Sequence, residues 1–241
     1  MVYGECGQMP PSVHCKVSIL CYFNRLFNMD DNMIVKRVYN EIHALHVNGF
    51  PTWIGKVCEL ARNYNVTFGK KPNEFKSQCK SKIYGEFRSQ WRYNVQDIKN
   101  NPSLRMYNTI NKRFEMQPYL YLVKNIKYRT AMSKLRVSSH TLEIERGRHS
   151  KPKIPIENRV CLSCQCLEDE EHFLLSCYLF EADRTNLINK VIHKYPEYHV
   201  MENKDKFVFL LCNHDDQILT WVGRFIFRSF RKRSEYHLTR H

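Results

Sequence analysis

The amino-acid sequence predicts a mainly α-helical protein, and three observations lead to this fold class. Apolar residues recur every three or four positions over much of the chain, which is the spacing of one helix face. Short segments rich in Gly, Pro and Asn separate these runs, as they do at helix ends. Short alternation of apolar and polar residues, the pattern of a strand, begins only at Ser138.

The predicted elements follow from these patterns in chain order. The clearest helix has Phe75 and five further apolar or cysteine residues at every fourth position up to Val95. Before the stripe of Ile34, Val38, Ile42 and Leu45, the acids Asp30 and Asp31 are expected to serve as helix cap and first-turn residues. The predicted helices span residues 17–27, 34–45, 53–62, 75–95, 104–114, 119–135, 180–193 and 217–233, with a short extended segment or hairpin at 138–149 and an apolar run at 207–211.

A change of texture near residue 137 predicts two domains. Residues 1–137 form a helical region, and residues 138–241 form a small finger-like segment followed by further helices. The proline-rich stretch Lys151–Pro155 is unsuited to a helix and leads directly into a cluster of cysteines.

The composition indicates a globular protein with an anionic partner. Hydrophobic residues make up 43% of the 241 residues, a share that supports a packed core. Lys and Arg number 38 against 24 Asp and Glu, a formal charge of +14. Such an excess favours nucleic acid, because each cation at a phosphate releases a condensed counterion. The alternative is that the charge serves solubility.

The first residues lack a basic flank followed by an apolar run, and no long apolar stretch follows. We therefore expect an intracellular protein, nuclear or cytoplasmic and not secreted, with no transmembrane segment and no membrane partner. In a reducing compartment, most of the ten cysteines should behave as small buried apolar groups.

The segment CLSCQCLEDEEHFLLSC, residues 161–177, carries the spacing of a metal site. Cys161 and Cys164 are two residues apart and can grip one Zn²⁺ from a tight turn, while His172 and Cys177 can supply a second pair. The acids between them suit the first turn of a helix, so His172 and Cys177 should lie near a helix start. Four protein ligands leave no open position, which predicts a structural and not a catalytic Zn²⁺. Cys166 is a spare that could replace Cys164.

The cluster is preceded by Ser133–Arg148 and ends in Glu168–Cys177. Together, these residues resemble the region downstream of the polymerase core in reverse transcriptases of animal non-LTR retrotransposons, including their zinc-binding finger. The resemblance is specific over residues 135–177 and extends to short N-terminal segments. It is carried by Ser133–Arg148, Cys161–Cys164, Glu168–Cys177, Tyr3–Glu5, His46–Phe50 and Trp53–Ile54. It implies the handling of RNA and DNA, with a reverse-transcriptase core as a possible partner.

No catalytic residues are predicted. Asn28–Asp31 resembles the Tyr/Phe-x-Asp-Asp turn of a polymerase palm, but asparagine replaces the aromatic residue. Two-metal catalysis needs a further carboxylate from upstream, and Glu5 is the only acid before Asp30. The chain is therefore not expected to be an enzyme or to act on a small-molecule substrate.

Basic residues interleaved with aromatic ones are the predicted nucleic-acid contacts. Cations four apart can follow a phosphate backbone, and aromatic rings can stack on unpaired bases. The set is Lys124, Lys127, Arg129, Lys134, Arg136, Arg146, Arg148, Lys151, Arg224, Arg228, Arg231, Lys232 and Arg233. The first hypothesis is thus a zinc-stabilised module that binds RNA or DNA. The second is a protein-interaction module that zinc organises.

Overall fold

The computed structural model describes residues 1–239 and is mainly helical, as predicted. Two isolated antiparallel bridges, Cys6 with Met116 and Val160 with Leu167, are the extended pairings in this part of the chain. Short 3-10 turns lie at Pro102–Leu104, Ile156–Asn158, Tyr178–Phe180 and Pro196–Val200. The α-helices are α1 (Val2–Cys6), α2 (Pro11–Phe27), α3 (Ile34–Val47), α4 (Trp53–Asn63), α5 (Pro72–Gln96), α6 (Arg105–Ile110), α7 (Tyr119–Leu122), α8 (Ile126–Arg136), α9 (Glu143–His149), α10 (Glu170–Leu175), α11 (Glu181–Lys194), α12 (Asn203–Cys212) and α13 (Asp216–Leu238).

The chain divides into two compact units at positions that the sequence did not mark. The smaller unit is Gln8–Tyr93, and the larger unit combines Met1–Gly7 with Asn94–His241. The boundary predicted near residue 137 is wrong, because it falls inside the larger unit. Arg136, one residue before it, is fully buried and bound to Glu5, so this point is part of a core.

The smaller unit is built around α2, α4 and the first part of α5. Of the stripe residues of α5 that lie in this unit, Phe75, Cys79, Ile83 and Trp91 are buried and Phe87 is half-buried. These side chains share a unit with Leu20 of α2 and Ile54 of α4, which are fully buried. Apolar burial at helical spacing therefore accounts for this unit.

Helix α3 turns a different face inward from the one its pattern predicts. Ile34, Val38 and Leu45 of the apolar stripe are 78%, 53% and 47% exposed. Its buried residues are Tyr39 and Lys36. The Lys36 Nζ atom donates hydrogen bonds to the carbonyl groups of Leu26 and Phe27, at the end of α2. Helix ends leave carbonyl groups without intrahelical partners, and Lys36 donates to two of them at the end of α2.

The acids before α3 do not cap it, contrary to the prediction. Met33 occupies the cap position, and the helix begins at Ile34 without a side-chain cap. Asp30 accepts a hydrogen bond from the backbone N–H of Asn32, and Asp31 accepts one from the Asn40 side chain. The two acids therefore stabilise the turn that precedes the helix.

The core of the larger unit is centred on α13, which packs along α8. Leu219, Val222 and Ile226 of α13 are fully buried, as are Met132 and Leu135 of α8. Close approach of the two helices depends on Gly223. A Cβ atom there would lie 3.0 Å from Cβ of Tyr128 and 3.2 Å from Sδ of Met132.

Two segments of the larger unit differ from their predicted structure. The helix predicted over 119–135 is interrupted, because the Asn125 side chain accepts hydrogen bonds from the N–H groups of Lys127 and Tyr128 and starts α8 anew. The extended segment predicted at 138–149 contains the short helix α9 instead. Its acids lie in the first turn and its cations in the last, with Arg148 paired to Glu145 at 2.7 Å.

A membrane-spanning helix needs a long, nearly uninterrupted apolar run. None of the helices within residues 1–239 provides one.

Candidate metal centre

The first two ligands lie in a tight turn closed by backbone hydrogen bonds. Val160 and Leu167 face each other in an isolated bridge, and the Cys161 N–H donates to the Cys166 carbonyl at 2.8 Å. The Gln165 N–H donates to the Cys161 carbonyl at 2.8 Å, and Gln165 has a φ of 56°. This left-handed residue reverses the chain, so both cysteines lie on the same side of the turn.

The other two ligands are placed by α10. Asp169 caps this helix by accepting a hydrogen bond from the His172 N–H at 2.8 Å, and Glu170 and Glu171 occupy the first turn. His172 is thus in the first turn of a helix, as predicted. Cys177 follows two residues after the helix ends, where its N–H donates to the His172 carbonyl at 2.9 Å.

The four predicted ligands meet in one cluster. One ligand atom from each of Cys161, Cys164, His172 and Cys177 lies within 4.8 Å of all the others. The Sγ atom of Cys177 is 3.8 Å from that of Cys161 and 3.7 Å from that of Cys164. For a tetrahedral metal with bonds to sulfur of about 2.3 Å, the distance between two sulfur ligands is about 3.8 Å. The spacing of the Cys177 sulfur from the other two therefore suits a tetrahedral metal ion, and the cluster could hold one.

Hydrogen bonds favour negative charge on the Cys161 sulfur and a bound proton on the Cys177 sulfur. The N–H of Tyr178 donates to Sγ of Cys164 at 3.3 Å. A hydrogen bond from the Cys177 thiol lowers the pKa of Cys161 to about 3, although burial opposes this change. Hydrogen bonds from His172 and from the N–H groups of Cys164 and Ser163 lower it as well. The same sulfur–sulfur hydrogen bond, together with burial, raises the pKa of Cys177. A metal ion would replace the shared proton.

Cys166 lies outside the cluster, which answers the question of the spare cysteine. Its side chain is exposed, and its Sγ atom is 3.3 Å from Nδ1 of His172. Partial loss of hydration and the nearby thiols of Cys164 and Cys161 raise the pKa of Cys166. The Ser176 hydroxyl group lies 3.2 Å from the same Nδ1 atom.

A buried ion network joins the cluster segment to α9 and α13. Glu168, which is 3% exposed, accepts hydrogen bonds from Nε and Nη2 of Arg233 at 2.8 and 2.6 Å. It also accepts one from the N–H of Glu143 at 2.7 Å. In the sequence, Glu168 looks like one of several acids before a helix, because nothing marks Arg233 as its partner 65 residues away.

A second group of polar contacts surrounds Glu170, which is also buried. Its carboxylate contacts Arg105 at 2.9 Å, His140 at 3.1 Å and the Ser138 hydroxyl at 3.2 Å. Although burial opposes ionisation, the hydrogen bond and charge of His140 and the charge of Arg105 lower the pKa of Glu170. His140 therefore supports the helix that carries His172.

Two predicted nucleic-acid contacts are wrong because their side chains are buried in ion pairs. Arg233 is held by Glu168 and Glu143, as described above. Arg136 is 0% exposed; it binds Glu5 at 2.9 Å and donates to Gln117 and to the Leu211 carbonyl at 2.7 Å each. Neither guanidinium group is available to a phosphate.

The remaining predicted contacts lie at or near the surface. Arg129 and Arg148 are half-buried; Arg129 donates to the Leu120 and Val123 carbonyls, and Arg148 pairs with Glu145. Arg146 and Arg231 are exposed but near Glu143 and Glu235. The exposed cations of the predicted set that form no ion pair among the described residues are Lys124, Lys127, Lys134, Lys151, Arg224, Arg228 and Lys232.

Some of these cations line one groove between α8 and α13, which we call the α8–α13 groove. Its volume is 520 Å³, and Lys127 and Lys134 line it from α8. Phe227, Phe230 and Arg231 line it from α13, together with the acid Glu235, which lies 3.8 Å from Arg231. Near the groove, the Arg224 guanidinium lies 5.8 Å from the centre of the Tyr128 ring. Positive charge and aromatic surface therefore occur together, the combination that binds single-stranded nucleic acid.

The chain was also compared with known proteins. No model of a protein family, no curated protein and no solved structure matches it.

Proposed function

We propose that this chain is a zinc-stabilised nucleic-acid-binding region, similar to the post-polymerase part of a non-LTR retrotransposon reverse transcriptase and without a polymerase active site of its own. The resemblance of the sequence over residues 135–177 supports the family. The cluster geometry supports the metal, and the α8–α13 groove supports the nucleic acid.

The chemistry of the cluster favours zinc among the possible metals. Three thiolates and one imidazole are soft or borderline ligands, and the sulfur spacing suits a tetrahedral ion. The ion would hold the turn at Cys161–Cys164 against the end of α10. With Ser176 beside Nδ1 of His172, Nε2 is the nitrogen that would bind it. Four protein ligands leave no place for an activated water, so the role is structural.

The observation that carries nucleic-acid binding is the convergence of Lys127, Lys134 and Arg231 on one groove with Phe227 and Phe230. A phosphate backbone lying along the groove would contact the three cations, and unpaired bases would meet the aromatic rings. No side-chain pattern suited to reading base edges was found in the sequence. Recognition should therefore depend on the backbone and on shape.

A salt titration tests this proposal. The affinity of the purified chain for single-stranded and double-stranded RNA and DNA is measured as a function of salt concentration. Log affinity should fall linearly with log salt, with a slope of about −0.7 per phosphate contact for single strands and about −0.9 for duplex DNA. A flat dependence, or no binding at low salt, would contradict nucleic-acid binding.

Matched double variants locate the contact. Lys127→Gln with Lys134→Gln removes two cations from the groove, and Lys76→Gln with Lys80→Gln removes two exposed cations from α5. The salt slope of the groove variant should become less steep by about 1.4 for single strands or about 1.8 for duplex DNA, the value of two phosphate contacts. The α5 variant should keep the slope of the unaltered protein. Equal losses in both variants would mean that net charge, not the groove, determines binding.

The metal is tested separately by elemental analysis of the purified chain. We expect one zinc per chain, and replacement of Cys161 and Cys164 by Ser should abolish it. Cys166→Ser should retain zinc, since this thiol lies outside the cluster. Zinc well below one per chain in the unaltered protein would contradict the site.

The second candidate function, a protein-interaction module, is favoured by one observation in the smaller unit. Ile34, Val38 and Leu45 form an exposed apolar stripe on α3, with Val35 and Val47 also exposed. A stripe of this kind is typical of a helix that packs against another protein. The family resemblance makes a reverse-transcriptase core the natural partner.

Co-purification with such a core separates the two functions. Val38→Glu should weaken the association if α3 is the contact, whereas Lys127→Gln with Lys134→Gln should leave it intact. Association that is unaffected by Val38→Glu would rule out this stripe as the docking face.

A further inference from the structure

Beside the metal centre, two buried hydrogen-bond donors have no partner among the described residues. Nη1 of Arg184 and Oη of Tyr198 are both shielded from solvent and make no hydrogen bond. Arg184 is 8% exposed and Tyr198 is 1% exposed. Leaving such groups unsatisfied is costly, and the cost is greatest for a charged one.

Arg184 is held in place by its other nitrogen. Nη2 donates to the carbonyl group of Cys177 at 2.6 Å, which fixes the guanidinium behind the last metal ligand. No carboxylate accepts a hydrogen bond from Arg184 among the described residues.

Both residues line the same cavity, which has a volume of 390 Å³. Its walls come from the end of α10, from α11 and from the start of α12. The polar lining includes Asn203 and Lys206. The Nζ atom of Lys206 lies 5.9 Å from the centre of the Tyr198 ring. A volume of this size falls within the range of small-molecule sites, about 300–1,000 Å³.

The chemistry of the two free groups selects the ligand. Each has an N–H or O–H to donate, so the ligand atoms must accept hydrogen bonds. Arg184 and Lys206 carry positive charge, and against them the cavity has the single acid Glu181. An oxyanion satisfies these conditions, and a guanidinium with a phosphate is a strong charge-assisted pair.

The rest of the cavity lining indicates which chemical group carries the oxyanion. Tyr178 lines the cavity with a side chain that is 70% exposed, and Ile188 and Ile192 supply an apolar wall. An exposed aromatic ring next to a cationic cavity can stack on a nucleobase. We propose that this cavity binds a phosphate monoester of nucleotide size, with its phosphate between Arg184, Tyr198 and Lys206 and its base against Tyr178.

Such a phosphate could belong to a free nucleotide or to the phosphorylated end of a nucleic-acid strand. The proposal deepens the proposed function, since a strand end would bring its phosphate to this cavity, but it depends on different residues from those of the α8–α13 groove. The two can therefore fail independently.

Calorimetric titration of the full chain with small probes tests the site. Adenosine monophosphate should bind saturably, inorganic phosphate more weakly, and adenosine not at all. A cavity that holds only water would give no saturable signal with any probe, and this would overturn the proposal. Equal binding of adenosine and adenosine monophosphate would overturn it as well.

Tyr198→Phe is the decisive variant, because it removes only an oxygen atom that has no partner in the protein. The affinity for adenosine monophosphate should fall about tenfold, the value of one hydrogen bond to a charged group, while the melting temperature should stay the same or rise. Lys206→Gln should also weaken binding, whereas Lys232→Gln, an equal change of charge outside the cavity, should not. Unchanged affinity in Tyr198→Phe would overturn the proposal.

Short oligonucleotides identify the source of the phosphate. Two strands of the same sequence, one ending in a phosphate and one in a hydroxyl group, are compared at a salt concentration that suppresses groove binding. Tighter binding of the phosphorylated strand that is lost in Tyr198→Phe would assign the site to strand ends. Equal binding of the two strands, with adenosine monophosphate still bound, would assign it to free nucleotides. Variants of Lys127 and Lys134 should leave both results unchanged.

Discussion

The two units of this chain use different physical means to stabilise their interiors. Buried polar and charged residues in the smaller unit are limited, among those described, to Asn24 and Lys36, and both donate hydrogen bonds to backbone carbonyl groups. The larger unit buries whole ion pairs, with Arg136 on Glu5 and Arg233 on Glu168, as well as the cysteine cluster. One unit relies on apolar packing, and the other also relies on partners that must all be present.

This difference predicts how each unit fails. An apolar core loses stability in proportion to the volume removed, so single changes should act gradually. A buried ion left without its partner costs several kcal/mol, and a metal site without its metal loses the free energy of binding. We therefore expect abrupt losses in the larger unit and graded ones in the smaller.

On the proposed function, removal of zinc from the cysteine cluster should have the largest effect. In zinc-finger peptides, structural zinc contributes roughly 10–16 kcal/mol, which is comparable to the whole stability of a domain. A strong chelator, or Cys161→Ser with Cys164→Ser, should unfold the larger unit. Fluorescence of Trp221, measured after Trp53→Phe and Trp91→Phe, would report this. Cys166→Ser is the matched control, and a cooperative transition that survives chelation would contradict the prediction.

Breaking the Arg136–Glu5 pair should have the next largest effect. Arg136→Met leaves the carboxylate of Glu5 buried without its cation, at a cost of about 3–5 kcal/mol in unfolding free energy. Glu5→Gln combined with Arg136→Met removes both charges and should recover much of the loss. Urea denaturation of the two variants measures the difference. A double variant as unstable as the single one would show that packing, not charge, is responsible.

Truncation in the smaller unit should cost somewhat less. Leu20→Ala removes a fully buried side chain and should lower the unfolding free energy by about 3 kcal/mol. Ile34→Ala, on the exposed stripe of α3, should change it by less than about 0.5 kcal/mol. A large effect of Ile34→Ala in the isolated chain would mean that the stripe is already covered in solution.

The smallest effect concerns the start of α13. Asp215 caps this helix and pairs with Lys194 at 2.6 Å. Hydrogen bonds from Lys194, Ile218 and Tyr195 lower the pKa of Asp215, although burial opposes its ionisation. Because the folded-state pKa is the lower one, this stabilisation is present above the unfolded pKa of about 3.9 and is lost as pH falls through the folded value.

Asp215→Asn keeps a good helix cap and removes the charge. It should cost less than about 1 kcal/mol at neutral pH and nothing at low pH, where the aspartate is protonated. Thermal melts of both proteins from acid to neutral pH measure this. A cost that persists unchanged in acid would mean that the charge is not responsible.

The sequence predicted best where a local pattern determines the structure. The helical spacing of Phe75 to Val95 and the cluster of Cys161, Cys164, His172 and Cys177 both needed only residues close together in the chain. The sequence failed where distant partners decide the outcome. In the sequence, Arg136 and Arg233 look like any surface cation. Arg136 is buried against Glu5, 131 residues away, and Arg233 is buried against Glu168, 65 residues away. The inward face of α3 was also missed, because the partners of Lys36, the Leu26 and Phe27 carbonyls, lie on another helix.

The Glu168–Arg233 pair has a consequence for the order of events during synthesis. All four residues of the cysteine cluster have left the ribosome once Cys177 has emerged. Glu168, beside them, cannot form its ion pair until Arg233, 65 residues downstream, has also been synthesised. The smaller unit, Gln8–Tyr93, is complete long before that. Domains fold as units during translation. The nascent chain should therefore carry a finished helical unit while the metal-binding segment remains open, and a ribosome stalled before Arg233 should hold a chain that binds metal without closing its core.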